Sequence, residues 1–155
     1  MRQIHKVCMG GTFDILHKGH VALLTQASEI GKIVLIGLTT DERARKYRKN
    51  TEINSYKIRE KNLRNLLESL QLPSNFQIVP LENDWGPSVI EDSFTAIIVS
   101  EETRKAAEEI NKIRVQDGKV KLEIITVPFV NAYDGHKISS SRIRNNEIDF
   151  NGMLA

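Results

Sequence analysis

A chain of 155 residues can bury one substantial hydrophobic core and is too short for two ordinary domains, so residues 1–155 are expected to form one domain. Its 40% hydrophobic and 27% charged content is that of a globular protein, and 22 basic residues interspersed with 20 acidic ones leave a net charge of only +2, which argues against general nucleic-acid binding. The start MRQIHKVCMGG has no secretory pattern, no apolar run has spanning length, and the lone Cys8 excludes an internal disulfide or a cysteine-rich zinc site; a cytoplasmic protein with no membrane or nucleic-acid partner is expected.

Ile4 to Met9 is mainly apolar and reads as a first strand, with Cys8 as a small core residue. Gly10 and Gly11 follow at the strand end, where the absence of a side chain admits unusual backbone angles or the close approach of a ligand. The stretch Gly19 to Ile30 then reads as a helix, with Val21, Leu24 and Ser28 at helical spacing and Leu23, Ala27 and Ile30 widening the apolar side. Its free N–H groups suit an anion. His17 and His20, three apart at the start of this helix, can face one anion together. Two histidines in a turn also suit a metal half-site or helix capping; their place after Gly-Gly-Thr and before a helix favours phosphate. Neither GxxxxGK[ST] nor GxGxxG occurs, so a P-loop or dinucleotide reading is poor.

Ile33 to Leu38 is a continuous apolar run, as expected of a central parallel strand covered on both faces. The basic residues Arg43, Arg45, Lys46, Arg48 and Lys49 follow it, and Lys46 is the best placed to swing over a crevice at the strand ends. Ser55 or Asn54 is expected to cap a helix reaching Leu70, with Ile58, Leu63, Leu66, Leu67 and Leu70 on its apolar side. Phe76 to Leu81 and Thr95 to Val99 read as further strands. Ser100, followed by Glu101 and Glu102, reads as the cap of a helix with Ala106, Ile110 and Ile113 on one face. Lys121 to Val127 supplies the last strand, and a terminal helix begins near Ser140. The product is a single open, doubly wound α/β domain with a parallel sheet and its ligand crevice beyond the carboxyl ends of the strands. In the late segment DGHKISSSRIRNNEID, Ser139, Ser140 and Ser141 offer hydroxyl and backbone donors, and Arg142 and Arg144 offer directional cations suited to phosphate oxygens; a serine-rich cap with solvated arginines has the same composition.

GTFDILHKGH at Gly11 to His20 and ISSSRIR at Ile138 to Arg144 resemble the paired signatures of the nucleotidyltransferase superfamily, GxFDxxHxGH and ISSTRIR. More narrowly, TTDERARKYRK, the DWGP stretch at Asp84 to Pro87, VSEETRKAAEEINKIR and DGHKISSSRIRNNEID look like archaeal phosphopantetheine adenylyltransferase, and the likeness covers nearly the whole chain. Ser141 stands where the signature has Thr and keeps the hydroxyl. The RTxGISTT-like ending of glycerol-phosphate cytidylyltransferases is absent, and acceptor contacts of the bacterial enzyme do not transfer to Arg104 or Arg114.

The resemblance implies a Rossmann-like nucleotidyltransferase fold and the joining of ATP to 4'-phosphopantetheine, giving dephospho-coenzyme A and pyrophosphate in coenzyme A biosynthesis. The alternative within the superfamily is another phosphorylated acceptor, such as FMN or glycerol 3-phosphate. It further implies direct attack on the α-phosphorus of ATP without a covalent enzyme intermediate. His17, His20, Lys46 and Arg144 are the expected catalytic residues; Gly10, Gly11, Thr12, Phe13, His20, Ser139, Ser140, Ser141 and Arg142 are expected around the nucleotide. Mg²⁺ is expected to arrive with ATP, and no sequence-local carboxylate cluster marks a separate metal site. A phosphate nucleophile is already ionised, so Asp14 is expected to be structural, accepting turn or helix-end N–H groups. Trp85 is expected to pack within the scaffold, with contact to pantetheine as the alternative. Adenine recognition falls to backbone near Val99 or in Val127 to Val130. No sequence feature sets an oligomeric state.

Overall fold

The computed structural model describes residues 4–47, 52–83 and 93–155. Trp85 and the DWGP stretch, with Arg48 and Lys49, lie outside the described residues. The elements run β1 (Ile4–Gly11), α1 (Lys18–Ile30), β2 (Gly31–Thr39), α2 (Asp41–Tyr47), α3 (Tyr56–Leu70), β3 (Asn75–Leu81), β4 (Ala96–Val99), α4 (Arg104–Gln116), β5 (Glu123–Thr126) and α5 (Ser140–Arg144). All strand pairs are parallel in the order β3-β2-β1-β4-β5, the expected doubly wound sheet. Strand order reverses between β1 and β4, and such a switch point opens a crevice at the carboxyl ends of the strands.

Period-two alternation divides the central strands between two cores. Val7 and Met9 of β1, Val34 and Ile36 of β2 and Ile98 of β4 join Leu24 and Ala27 of α1 and Leu63 of α3. Cys8, Leu35, Ile97 and Val99 face the other way, onto Ala107 and Ile110 of α4. Cys8 is the small buried residue its strand position predicts, and its thiol donates to the Ala96 carbonyl. Gly31 is needed where α1 meets β2, because a Cβ there would lie 2.7 Å from Val7 Cγ2.

Three sequence expectations are corrected: Ser100 as the cap of α4, and Ala106 and Ile58 as inward-facing residues. The basic stretch after β2 is itself a helix, α2, with Asp41 and Glu42 in its first turn and Arg45 and Lys46 in its last, an order that complements the helix dipole. Ser100 does not cap α4: Ser100 to Thr103 form a turn in which the Ser100 N–H donates to Thr103 Oγ1 at 3.1 Å, and the helix begins only at Arg104. One residue of rotation then buries Ala107 and leaves Ala106 exposed. Ile58 likewise points outward, while Arg59 takes the buried place on α3. Ser55, rather than Asn54, caps α3 by accepting from the Ile58 N–H.

Candidate active site

The β1–α1 connection owes its shape to Phe13 rather than to the glycines before it. Phe13 has φ 50°, a left-handed conformation uncommon outside glycine, whereas Gly10 and Gly11 remain within β1. The glycines provide clearance instead. A Cβ on Gly11 would stand 3.0 Å from Phe13 Cε2, so the ring folds back against its own strand and is only 3% exposed. The same ring lies 5.2 Å from the His20 ring, centroid to centroid.

His17 and His20 form a capping box built from imidazoles. His17, the N-cap of α1, accepts from the Gly19 N–H through Nδ1 at 3.0 Å, and His20 Nδ1 accepts from the His17 N–H at 3.2 Å. The capping alternative left open by the sequence is therefore present, and it serves a further purpose. With both Nδ1 atoms accepting, the neutral rings carry their protons on Nε2, leaving Nε2–H available to donate. Burial lowers His17 from 6.5 to about 4, and burial with the neighbouring His17 lowers His20 to about 3. The ring centroids are 4.0 Å apart, so the two donors are adjacent. Gly19 keeps the pair open, since a Cβ there would meet His17 Cε1 at 2.8 Å.

The second motif docks onto the first through Ser140. Its hydroxyl donates to the Ile15 carbonyl at 2.9 Å and faces the Ile15 N–H at 3.3 Å, bridging segments 125 residues apart. Ser139 caps α5 by accepting from the Arg142 N–H. Together the motifs wall a cavity of about 330 Å³, in which His17, Gly19, His20 and Ser139–Ser141 face Ser100 and Glu102 after β4, Val127–Val130 after β5, and Lys137. Val127–Val130, one of the two segments expected to offer backbone to adenine, lines this cavity.

Several expected ligands have other partners. Arg144 is not directed freely at phosphate: it forms an ion pair with Asp14, whose other oxygen accepts from the Asn54 N–H at 2.9 Å ahead of α3. Asp14 is 4% exposed and accepts a backbone N–H, as its structural reading required. Arg142 donates to the carbonyls of His136 and Lys137 and pairs with Asp134, and this donation holds the Asp134 carboxyl below its ordinary range. Lys46 is exposed at the end of α2, and it, Arg142 and Arg144 stand outside the cavity lining, as do Gly10, Gly11, Thr12 and Phe13.

Sequence reasoning missed Arg59. Its side chain is wholly buried, donating from Nε to the Asn54 carbonyl at 2.8 Å and from Nη1 to the carbonyls of Thr12 at 3.0 Å and Thr39 at 2.7 Å. Its Nη2 pairs with Asp41 at 3.0 Å. One guanidinium thereby clamps the ends of β1 and β2 to the heads of α2 and α3. Helical spacing held the signal: residue 59 is one turn before Leu63 and shares its inward face.

Among the described residues, no helix is long and apolar enough to cross a membrane, and no group of three or more His, Cys, Asp or Glu side chains is placed to hold a metal ion. The cytidylyltransferase-like family matches residues 8–146. The chain is 43% identical to a phosphopantetheine adenylyltransferase of Methanothermobacter thermautotrophicus, across 99% of this chain and 91% of that protein. It is 45% identical to the one of Methanosarcina mazei, across 96% of each. A crystal structure of an Archaeoglobus fulgidus protein of unknown function superposes with a TM-score of 0.71 at 33% identity, covering 79% of this chain and 88% of that one.

Proposed function

Because the chain belongs to the cytidylyltransferase-like family and, within it, to the archaeal phosphopantetheine adenylyltransferases, we propose that it transfers AMP from ATP to 4'-phosphopantetheine, releasing pyrophosphate and forming dephospho-coenzyme A. The observation that carries the site assignment is the imidazole capping box: two adjacent Nε2–H donors, held by their own backbone, open into a cavity at the topological switch point.

In this reading residues 1–155 act as one nucleotidyltransferase domain. The acceptor phosphate attacks the α-phosphorus in line with the departing pyrophosphate, so catalysis consists of positioning and charge stabilisation. His17 and His20 donate to triphosphate oxygens, with His20 held more tightly by Phe13 and the capping bond. Gly10, Gly11 and Thr12 bring backbone close to the nucleotide. Ser139 and Ser141 line the phosphate side of the cavity beside Ser140, which also holds the two motifs together. Lys46, on the exposed end of α2, is assigned to the acceptor phosphate.

The arginines take new places in this scheme. Arg144 keeps α5 against the first motif through Asp14, and Arg142 shapes the 134–137 loop. The donor set in the cavity, imidazoles and hydroxyls, fits Mg²⁺ carried on the phosphate oxygens of ATP, and the ion would offset their negative charge there. The reading places the reaction in the cytoplasm.

The test is pyrophosphate release by the full chain with Mg²⁺ and ATP, comparing 4'-phosphopantetheine with FMN and glycerol 3-phosphate. Preferential turnover of 4'-phosphopantetheine, lowered about 100-fold or more in folded His20→Ala, is expected. Preference for another acceptor refutes the assignment.

A further inference from the structure

On the β4–β5 side of the cavity, Glu102 and Lys137 form an ion pair between the turn after β4 and the segment entering α5. The Lys137 ammonium also lies 4.6 Å from the centroid of the Phe129 ring. Phe129 is 39% exposed and lines the cavity, and an aromatic face in a nucleotide cavity is a stacking platform for a base. Three features thus meet at one place: a flat apolar face, an obligate acceptor and an obligate donor.

The ion pair has little structural work to explain it. Its side chains are 40% and 59% exposed, and pairs so wet add little to stability. Both groups are free to exchange partners when a ligand brings better ones. The alternation of sign is what matters. A carboxylate only accepts hydrogen bonds and an ammonium only donates them. Adenine presents an exocyclic amino donor beside a ring-nitrogen acceptor, whereas a 6-oxopurine presents an acceptor oxygen at the amino position.

Resting on the reading that this cavity takes ATP, we propose that Glu102 and Lys137 select the base. Glu102 accepts from the adenine amino group and Lys137 donates to the neighbouring ring nitrogen, so their mutual ion pair is exchanged for the edge of the purine. A 6-oxopurine would set its oxygen against the Glu102 carboxylate, and such repulsion gives selectivity as effectively as attraction does. Cytosine carries the same donor and acceptor signs on a smaller ring, so the selectivity predicted is against 6-oxopurines.

The experiment measures kcat/KM for pyrophosphate release with MgATP, MgITP and Mg-2'-deoxy-ATP at saturating 4'-phosphopantetheine, using the full chain as wild type, Glu102→Gln and Lys137→Gln. Inosine differs from adenosine only at the C6 substituent and N1, the amino group and neighbouring ring nitrogen that Glu102 and Lys137 are proposed to read. Wild type is expected to prefer ATP over ITP by about tenfold to hundredfold. Each amide variant, able to turn either its oxygen or its NH₂ to the base, is expected to narrow that ratio at least several-fold. Its ATP/2'-deoxy-ATP ratio and its KM for 4'-phosphopantetheine stay unchanged. An ATP/ITP ratio equal in all three proteins overturns the proposal, as does a change confined to the 2'-deoxy-ATP ratio, which would put Glu102 on the ribose. Failure of wild type to turn over ATP overturns the adenylyltransferase reading itself and is recognised before any variant is compared.

Discussion

The histidine capping box makes stability depend on pH in a direction that can be worked out. Both imidazoles are neutral in the folded chain, with values lowered from 6.5 to about 4 for His17 and about 3 for His20. Below pH 6.5 the unfolded chain therefore binds protons that the folded chain refuses, and stability falls as pH falls from 6.5 toward those values. At pH 5 an unfolded imidazole is almost fully charged, so a wholly excluded proton costs about 2 kcal/mol. The more buried His20 carries that full cost. His17 faces solvent more and is discounted to about 1 kcal/mol, giving about 3 kcal/mol between pH 7.5 and 5 for the pair. The control is a double variant, His17→Asn with His20→Gln, because Asn is a good N-cap and Gln at N3 completes a capping box without titrating. Urea unfolding at both pH values should show wild type losing about 3 kcal/mol more than the variant, all other titrations being shared. Equal pH slopes would refute the argument, and so would ¹⁵N spectra showing charged rings, or Nδ1–H tautomers, at pH 5.5.

Gly19→Ala places a methyl 2.8 Å from His17 Cε1 and should turn the ring off its cap. Turnover is expected to fall at least tenfold, with a small change in Tm, since a 1 Å misplacement of a donor is felt in rate before stability; unchanged kinetics would remove His17 from the site. Arg59→Met leaves the carbonyls of Asn54, Thr12 and the buried Thr39 without their donor and is expected to cost about 3 kcal/mol in chemical unfolding, whereas a loss under about 1 kcal/mol would show that water replaces the guanidinium. Chelation with EDTA should abolish pyrophosphate release while leaving the far-ultraviolet circular dichroism unchanged; loss of structure on chelation would point to a metal held by the protein rather than by ATP.

The parts of the fold legible in the sequence were those where the pattern is local. IVLIGL announces a strand buried on both faces, and the alternation of Val7, Cys8 and Met9 between the two cores is what a period of two demands. Spacing also puts His17 and His20 side by side. What spacing did not give was the atom each uses: the Nδ1 bonds to backbone, and hence the Nε2–H left to donate, follow a turn in which Phe13 takes a positive φ. The partners of the arginines were hidden for a related reason. An arginine suits a phosphate and a buried carboxylate equally, and only tertiary structure brings Asp14 to Arg144 across 130 residues. Arg59 was hidden in a run of charges that composition marks as wet, although its register with Leu63 marked it as inward.

These pairings bear on how the crevice handles a polyanion. Arg144, Arg142 and Lys137 lie in or beside the second motif, and each has a carboxylate partner: Asp14, Asp134 and Glu102. The histidines between the motifs are neutral. Without ligand the site thus avoids the repulsion of several clustered cations, and its donors are aligned by caps rather than by the phosphate they await. The pairs differ in how readily they open. Asp14–Arg144 is largely buried, with side-chain exposures of 3% and 22%, and Asp14 is pinned again by Asn54, so that pair belongs to the frame. Glu102–Lys137 is wet, with side-chain exposures of 59% and 40%, so on the proposed reading it is the one that yields to a ligand. A buried pair broken on one side leaves a charge stranded, whereas an exposed pair gives up little. On the proposed reading, that asymmetry keeps the docking of the two motifs constant while the Glu102–Lys137 side of the cavity adjusts to the base that enters it.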